Sequence, residues 1–305
     1  MASLLPGAVT VRVPATSANL GPGFDSLGLA LGLYDSLTAM VTEDEGVLIE
    51  VEGEGLGELA LDASHLVAKA MALGFTAMDI RPAGFVLRCS NAIPHGRGLG
   101  SSAAAIIGGL VLARGLVAEG QSLLSDHALL QLALTLEPHP DNLAAALHGG
   151  FTTAWITEQG AEVVRAEPHP SLRAVVAIPD FQLATQKARS ALTATVSRQD
   201  ASFNIARSAL LVQAITRAPE LLLDATEDRL HQEPRRSMYA PSMALIDSLR
   251  AMGRAAVISG AGPTVLVLGT ADVLADVQRI AGAGWRVESL DVAALGAHVD
   301  PVQRA

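Results

Sequence analysis

Apolar and polar positions alternate over residues 9–13, 36–42, 47–52 and 84–90, the period of half-buried β-strands. Over about 64–78, 100–118 and 122–136 the period lengthens to that of amphipathic helices. In the last of these, Leu123, Leu124, Ala128, Leu129, Leu132, Ala133 and Leu136 fall on one stripe. Gly149-Gly150 then introduces a further strand pair. A second group follows, with strands at 172–178, 255–259, 264–269 and 285–292 and helices at about 200–217, 240–252 and 271–282. The pattern predicts a mostly antiparallel or mixed sheet in the first half and a division near 165, giving segments 1–165 and 166–305. No internal repeat, low-complexity tract or Pro/Ser-rich linker separates them. The halves are therefore expected to pack tightly, with a small-molecule site in the cleft between them.

Composition narrows the function classes. Half of the 305 residues are apolar, and the formal net charge of −10 disfavours nucleic acid or an anionic membrane as the main partner. The single cysteine, Cys89, excludes an intramolecular disulfide and a thiolate zinc site, and it reads as a small core residue on a strand. The first residues carry no basic leader. No run reaches the roughly 18 apolar residues of a membrane span, so a cytoplasmic enzyme is expected.

Candidate chemistry begins at Pro94-His95-Gly96-Arg97-Gly98-Leu99-Gly100-Ser101-Ser102-Ala103, where glycines and paired serines open into an apolar helical run. Glycine permits positive φ and close backbone approach, and a helix start attracts anions. The Walker pattern needs a lysine here, yet the chain holds only Lys69 and Lys187. The dinucleotide fingerprint fails as well, so a phosphate would be held by backbone dipoles and serine hydroxyls. The same glycines equally suit a structural turn and N-cap. Two further polar loops stand out: Pro14-Ala15-Thr16-Ser17-Ala18-Asn19-Leu20-Gly21-Pro22-Gly23-Phe24-Asp25 and Glu137-Pro138-His139-Pro140-Asp141-Asn142.

In this order the three motifs resemble those of the homoserine kinase family, of the superfamily that also holds galactokinase, mevalonate kinase and phosphomevalonate kinase. The resemblance runs to Ser259-Gly260-Ala261-Gly262-Pro263-Thr264, similar to the superfamily's C-terminal glycine motif. Mevalonate-type kinases tend to carry a lysine in the first loop; Thr16-Ser17-Ala18-Asn19 stands there instead, which points to the amino-acid branch.

The resemblance implies an α+β, two-domain small-molecule kinase fold, with a mixed-sheet ATP-binding N-terminal domain and a ferredoxin-like C-terminal domain. It implies ATP and Mg2+, L-homoserine as acceptor, and a homodimer. By the same resemblance Pro94, Gly96, Gly98, Leu99, Gly100, Ser101, Ser102 and Ala103 hold the phosphates, and Ser102 with Glu137 holds the metal. Asn19 and Asp25 receive the substrate amino group. Arg189 and Arg236 clamp its carboxylate, a task suited to planar guanidinium groups; Arg235 takes the place of Arg236 if the register shifts by one. Asn142 sits beside the acceptor hydroxyl, with Thr185 and His139 as further catalytic candidates.

Three residues depart from the family pattern: Pro138 stands for Gly, Ala184 for Ser and Arg235 for Tyr. A loose, metaphosphate-like transition state needs little activation of the nucleophile, so direct attack of the hydroxyl on the γ-phosphate is expected. His139 and Asp141, two residues apart without further ligands, do not make a transition-metal site. His65 falls near the expected adenine site, and the remaining histidines read as surface or capping residues. With aromatic residues at only 3%, adenine is expected to rest on aliphatic side chains. Two rivals stay open: another small-molecule kinase of the superfamily, and a non-catalytic binding protein that keeps the fold.

Overall fold

The computed structural model describes residues 3–300. The first half comprises β1 (Val9–Ala18), β2 (Leu27–Thr42), β3 (Gly46–Gly53), α1 (Leu66–Ala77), β4 (Gly84–Asn91), α2 (Ser101–Gly115), α3 (Gly120–Leu123), α4 (Asp126–Leu134), α5 (Pro140–His148), β5 (Phe151–Thr157) and β6 (Gly160–Ala166). The second comprises β7 (Arg173–Pro179), α6 (Thr185–Ser190), α7 (Arg198–Thr216), α8 (Leu222–Ala225), α9 (Ala240–Ala251), β8 (Ala255–Ile258), β9 (Val265–Gly269), α10 (Leu274–Ala281), β10 (Trp285–Leu290) and β11 (His298–Val299).

Strands β11-β1-β2-β4-β3 form one sheet, with β5 joined to the first residues of β2 and β6 to β5. All its pairs are antiparallel except β3 with β4. Helix α2 lies against this sheet and is apolar nearly all round, as a helix buried on both sides must be. Its central glycines are steric necessities: a Cβ at Gly108 would overlap Leu37, and one at Gly109 would meet the backbone of α1 at Val67. The result is a core of Leu29, Leu31, Leu37 and Leu87 from the sheet with Met71, Phe75, Ile106 and Leu110 from the helices. Cys89 is buried there, and burial pushes its thiol up to about 12, as befits a packing residue.

The second sheet, β10-β7-β9-β8, is antiparallel throughout. Val175, Ala177 and Val267 on one face pack with Tyr239, Met243, Ile246 and Val277. Alternate residues Ala174, Val176, Leu266 and Leu268 face the larger core together with Leu211 and Ile215 of α7. After β10 the chain returns to the first sheet: Val292 bridges Leu31, and Val299 pairs with Val11. No helix among the described residues is long and apolar enough to cross a membrane.

The fold is the α+β arrangement expected, with three local differences. Strands β1 and β2 extend to residue 18 and back to residue 27, where polar side chains suggested loop. Thr16 and Ser17 stay buried there because their hydroxyls have partners, Asn142 and Ser259. The helix expected over 122–136 breaks in two, since Ser125 accepts a hydrogen bond from Ala128 N and caps α4. Residues 140–148 and 185–190, given no element from the sequence pattern, are the short helices α5 and α6.

Candidate active site

Four connections converge where the two sheets meet. The first is the turn from β1 to β2, in which Asn19, Leu20 and Asp25 all take positive φ (68°, 51° and 57°). Such strain persists only where the surroundings over-determine it. Here the Asn19 amide does so: Oδ1 accepts from Asp25 N (2.9 Å) and Nδ2 donates to Gly260 O (2.8 Å). One buried side chain thus locks the first loop and fastens it to the glycine loop between β8 and β9.

The second is the glycine-rich loop into α2. Gly96, Gly98 and Gly100 have φ of 63°, 79° and 70°, and Gly100 is the N-cap of α2. The predicted cradle is therefore a run of left-handed glycines ending on a helix start, with Ser101 and Ser102 in the first turn. Gly96, Gly98, Gly100, Ser101, Ser102 and Ala103 line the cleft. Pro94 and Leu99, assigned to the same cradle from sequence, are buried and do not line it; Leu99 O accepts from Thr16 N (3.0 Å) and anchors the loop. Arg97 is turned away, donating to the carbonyls of Pro179 and Asp180 at the end of β7 (both 3.0 Å).

The third connection leads into α5. His139 is its N-cap, Pro140 opens its first turn, and Asp141 and Asn142 follow, so a second helix start faces the cleft beside that of α2. Glu137 and His139 also line the cleft, paired through Nδ1 and Oε1 at 2.6 Å. Asn142 Oδ1 accepts from Thr16 Oγ1 (2.7 Å), which fixes the amide and leaves Nδ2 as the donor. Asp141 is almost fully buried and accepts from Asn142 N (2.7 Å). Burial pushes its carboxyl up to about 6, against the pull of that N–H, and Asp25 raises it further.

The fourth, the long helical crossover from β7 to β8, carries the arginines at two separate points. Arg189, on α6, lines the cleft and binds both carboxylate oxygens of Asp25. Arg235 also lines it, 1% exposed, with Nε lacking a partner in the protein. Arg236, expected to complete the clamp, does not: it points outward to Glu233 (2.7 Å) and Asp247 (2.8 and 3.2 Å). The segment Glu233–Tyr239 is 3-10 helical, so successive side chains leave in directions about 120° apart and only one of the two arginines can face the cleft. The side chain of Thr185 lies outside the described residues.

His231, read from sequence as a surface or capping residue, is fully buried behind Arg235. Nothing in its spacing marked it; the signal available was only its position four residues before Arg235. Thr16 was missed for a similar reason, since a polar residue in a polar loop gives no hint of burial.

Beside the cleft, and sharing Ser101 and Ser102 with it, lies a cavity of about 320 Å³ walled by Leu37, Leu59, Leu66, Val67 and Ala105. His65 borders it as the N-cap of α1, its Nδ1 accepting from Val67 N (3.3 Å). The arrangement thus offers an apolar chamber, an anion cradle at two helix starts, and a pocket bearing both guanidinium and carboxylate groups. Among the described residues no group of three or more His, Cys, Asp or Glu could hold a metal ion by itself.

Known proteins match the chain over nearly its whole length. The family described as GHMP kinases N terminal domain matches residues 62–150, and GHMP kinases C terminal matches residues 206–286. Homoserine kinase of Streptomyces avermitilis is 51% identical over 295 residues, covering 97% of this chain and 96% of its own. That of Streptomyces coelicolor is 50% identical, covering 98% and 96%. Among solved structures, homoserine kinase from Cytophaga hutchinsonii superposes with a TM-score of 0.81 at 25% identity, covering 98% of this chain and 99% of that one. Mevalonate kinase from L. major in complex with R-mevalonate shares the fold alone, with a TM-score of 0.71 at 11% identity and coverage of 96% and 99%.

Proposed function

The chain belongs to the GHMP kinases, and from that premise we infer that it transfers the γ-phosphoryl group of ATP to the hydroxyl of L-homoserine, giving the O-phospho-L-homoserine used in threonine biosynthesis. The observation that carries this reading is the charge pattern of the cleft. Beside the phosphate cradle stand two guanidinium groups, Arg189 and Arg235, and two carboxylates, Asp25 and Asp141. This is a receptor for an amino-acid zwitterion. An uncharged sugar would leave the buried Arg235 and Asp141 without a charged partner, at a cost of several kcal/mol.

In the free protein Asp25 and Arg189 satisfy one another. Homoserine exchanges that pair for two: its ammonium takes Asp25 and Asp141, and its carboxylate takes Arg189 and Arg235. Asn19 acts by holding Asp25 in place. The side chain of the substrate then runs toward Asn142, whose Nδ2 orients the hydroxyl while Thr16 holds the amide. The nucleotide phosphates lie on the glycine loop, with the donors of two helix starts and Ser101 and Ser102 offsetting their charge. The adenosine end occupies the apolar cavity beside them.

A hydroxyl on Ser102 and a carboxylate on Glu137, both lining the cleft, fit a hard cation such as Mg2+ that needs only one or two protein oxygens. When bound with the nucleotide, the metal neutralises charge developing on the phosphates. His139 donates to Glu137 and fixes its aim. The hydroxyl oxygen attacks the γ-phosphorus as the bond to ADP breaks. In a loose transition state the proton need not be removed first; it leaves the oxygen for a phosphoryl oxygen or solvent as the new O–P bond forms, so alignment and charge stabilisation supply the rate.

The test is ADP release from MgATP with L-homoserine against mevalonate, galactose, L-serine and L-threonine. Selective use of homoserine is expected; preference for mevalonate or galactose, or no turnover of any alcohol, sinks the assignment. The cytoplasm as location and a homodimer as working form complete the proposal.

A further inference from the structure

Arg235 presents a physical problem that its own segment does not solve. A buried guanidinium with an unpartnered Nε should be driven toward solvent or to a carboxylate, yet it faces the cleft. Besides the Tyr239 hydroxyl of its own segment, what holds it is an imidazole. Arg235 Nη1 donates to His231 Nδ1 at 3.4 Å, and His231 Nε2 lies 2.7 Å from Gly21 O in the first loop. Because a carbonyl can only accept, Nε2 carries the proton. Because a guanidinium can only donate, Nδ1 must be bare. These two partners leave a single possibility for the ring.

The groups around His231 agree. Asp228, fully buried with its Oδ2 at 3.8 Å from Nε2, is already occupied by Asn204 Nδ2 (2.8 Å) and by the N–H groups of Leu230, His231 and Gln232 (3.1, 3.0 and 2.8 Å). It therefore has no need of an imidazolium. Burial holds the His231 pKa below its ordinary value, against the opposing pull of Asp228, and the Arg235 charge lowers it further. On the ring's face, Phe24 stacks at 5.1 Å, and the same Phe24 ring carries both Arg189 and Arg235 within 5.3 and 5.4 Å. Phe24 directly precedes Asp25, so the first loop, the two arginines and His231 form one connected block.

We propose that His231 is a positioning residue for the substrate carboxylate: fixed as the Nε2–H tautomer between Gly21 and Arg235, it holds that guanidinium in the cleft and couples it to the loop bearing Asp25. This role rests on the homoserine reading above. It predicts that the loop and the carboxylate clamp respond together when the ring is altered.

Two substitutions separate the ring's two contacts. In His231→Gln the amide nitrogen replaces Nε2 and keeps the tie to Gly21, but the amide oxygen, the one acceptor left, no longer stands at the Nδ1 position that faces Arg235. In His231→Asn the amide falls at the Nδ1 position and keeps that acceptor. The expected result for His231→Gln is a rise of about tenfold in KM for homoserine, with KM for ATP within about twofold and a smaller rise in His231→Asn. Adding Arg235→Ala to His231→Gln should cost less than Arg235→Ala alone. An equal rise in both KM values, or additive effects, overturns the proposal.

The unaltered protein gives a second reading that needs neither a folded variant nor the substrate. Long-range 1H–15N correlation of the imidazole nitrogens should show a protonated Nε2 and a bare Nδ1 at neutral pH. The opposite tautomer, or a doubly protonated ring, overturns the proposal. If the unaltered protein fails to phosphorylate homoserine, the functional reading falls, and the tautomer still decides whether His231 holds Arg235.

Discussion

Two adjacent arginines illustrate how much one step along the chain decides. Arg235 is buried in the cleft, and Arg236 turns outward, half-buried and paired with Glu233 and Asp247 on the surface. Loss of a charge-assisted contact to the substrate carboxylate costs on the order of 2–3 kcal/mol, so Arg235→Ala should raise KM for homoserine about 30- to 150-fold. Exposed ion pairs contribute little, and Arg236→Ala should leave that KM within about twofold; steady-state kinetics on the pair checks both. The motif Pro-x-Arg spells Arg236, and only the direction of each side chain from a 3-10 segment, which no sequence pattern encodes, turns the choice to Arg235. Asp141 makes a second prediction at this scale. Its folded pKa of about 6 lies above the ordinary 3.8, so the fold favours its protonated form. That stabilisation is present below the unfolded pKa and is lost as pH rises through about 6. Asp141→Asn should therefore be more stable than the parent at about pH 8, by up to roughly 2–3 kcal/mol, and equal to it near pH 4, while binding homoserine less well. Urea titrations at the two pH values measure this, and a gain that does not depend on pH would contradict it.

At the level of elements, the start of α2 is where local chemistry and site coincide. The Gly-Leu-Gly-Ser-Ser run marked a helix start, which the left-handed Gly100 at the N-cap bears out, and suited an anion cradle and a structural turn equally until the three motifs were read together. Gly100 also brings the helix against β1: a Cβ there would overlap Thr16 Oγ1 and come within 3.2 Å of Asn142 Oδ1. Gly100→Ala is expected to lower stability by more than about 2 kcal/mol and to abolish measurable ATP turnover. Gly96, with no atom nearer than 3.5 Å to a Cβ, should lose only about 1 kcal/mol on substitution by Ala through its positive φ. Thermal unfolding and ATP kinetics on the two variants compare them. The helices α1, α2 and α7 were legible because each presents a long apolar period. The helix α5 was not, since nine residues beginning Pro-Asp-Asn resemble a loop until packing on β1, β2 and β5 supplies the stabilisation. The ends of β1 and β2 failed for the converse reason: their polar residues are buried by partners more than 100 positions away.

Taken whole, the molecule ties its two halves together through the site itself. Ser259 Oγ lies 2.8 Å from Ser17 Oγ and donates to Gly98 O (2.6 Å), Gly260 N donates to Ala18 O (3.1 Å), and Thr264 N donates to Arg97 O (3.1 Å). The loops proposed to hold phosphate and substrate are the same loops that join the sheets. Ser259→Ala, which leaves a buried carbonyl without its donor, should cost about 1–3 kcal/mol and still unfold in one transition by calorimetry; two resolved transitions would show halves that fold independently. The order of the motifs made the kinase architecture legible, and the alternation of apolar residues supplied most of its strands. The exchange of ion pairs proposed for the cleft belongs to tertiary structure alone, and it is the feature on which the proposed substrate choice rests. The measurement that bears on it most directly compares kcat/KM for L-homoserine with those for homoserine lacking its carboxylate and homoserine lacking its amino group. Each truncated alcohol leaves buried charges unpaired, and each should lose at least about 100-fold in kcat/KM. If either is phosphorylated as efficiently as L-homoserine, the cleft does not read both ends of an amino acid.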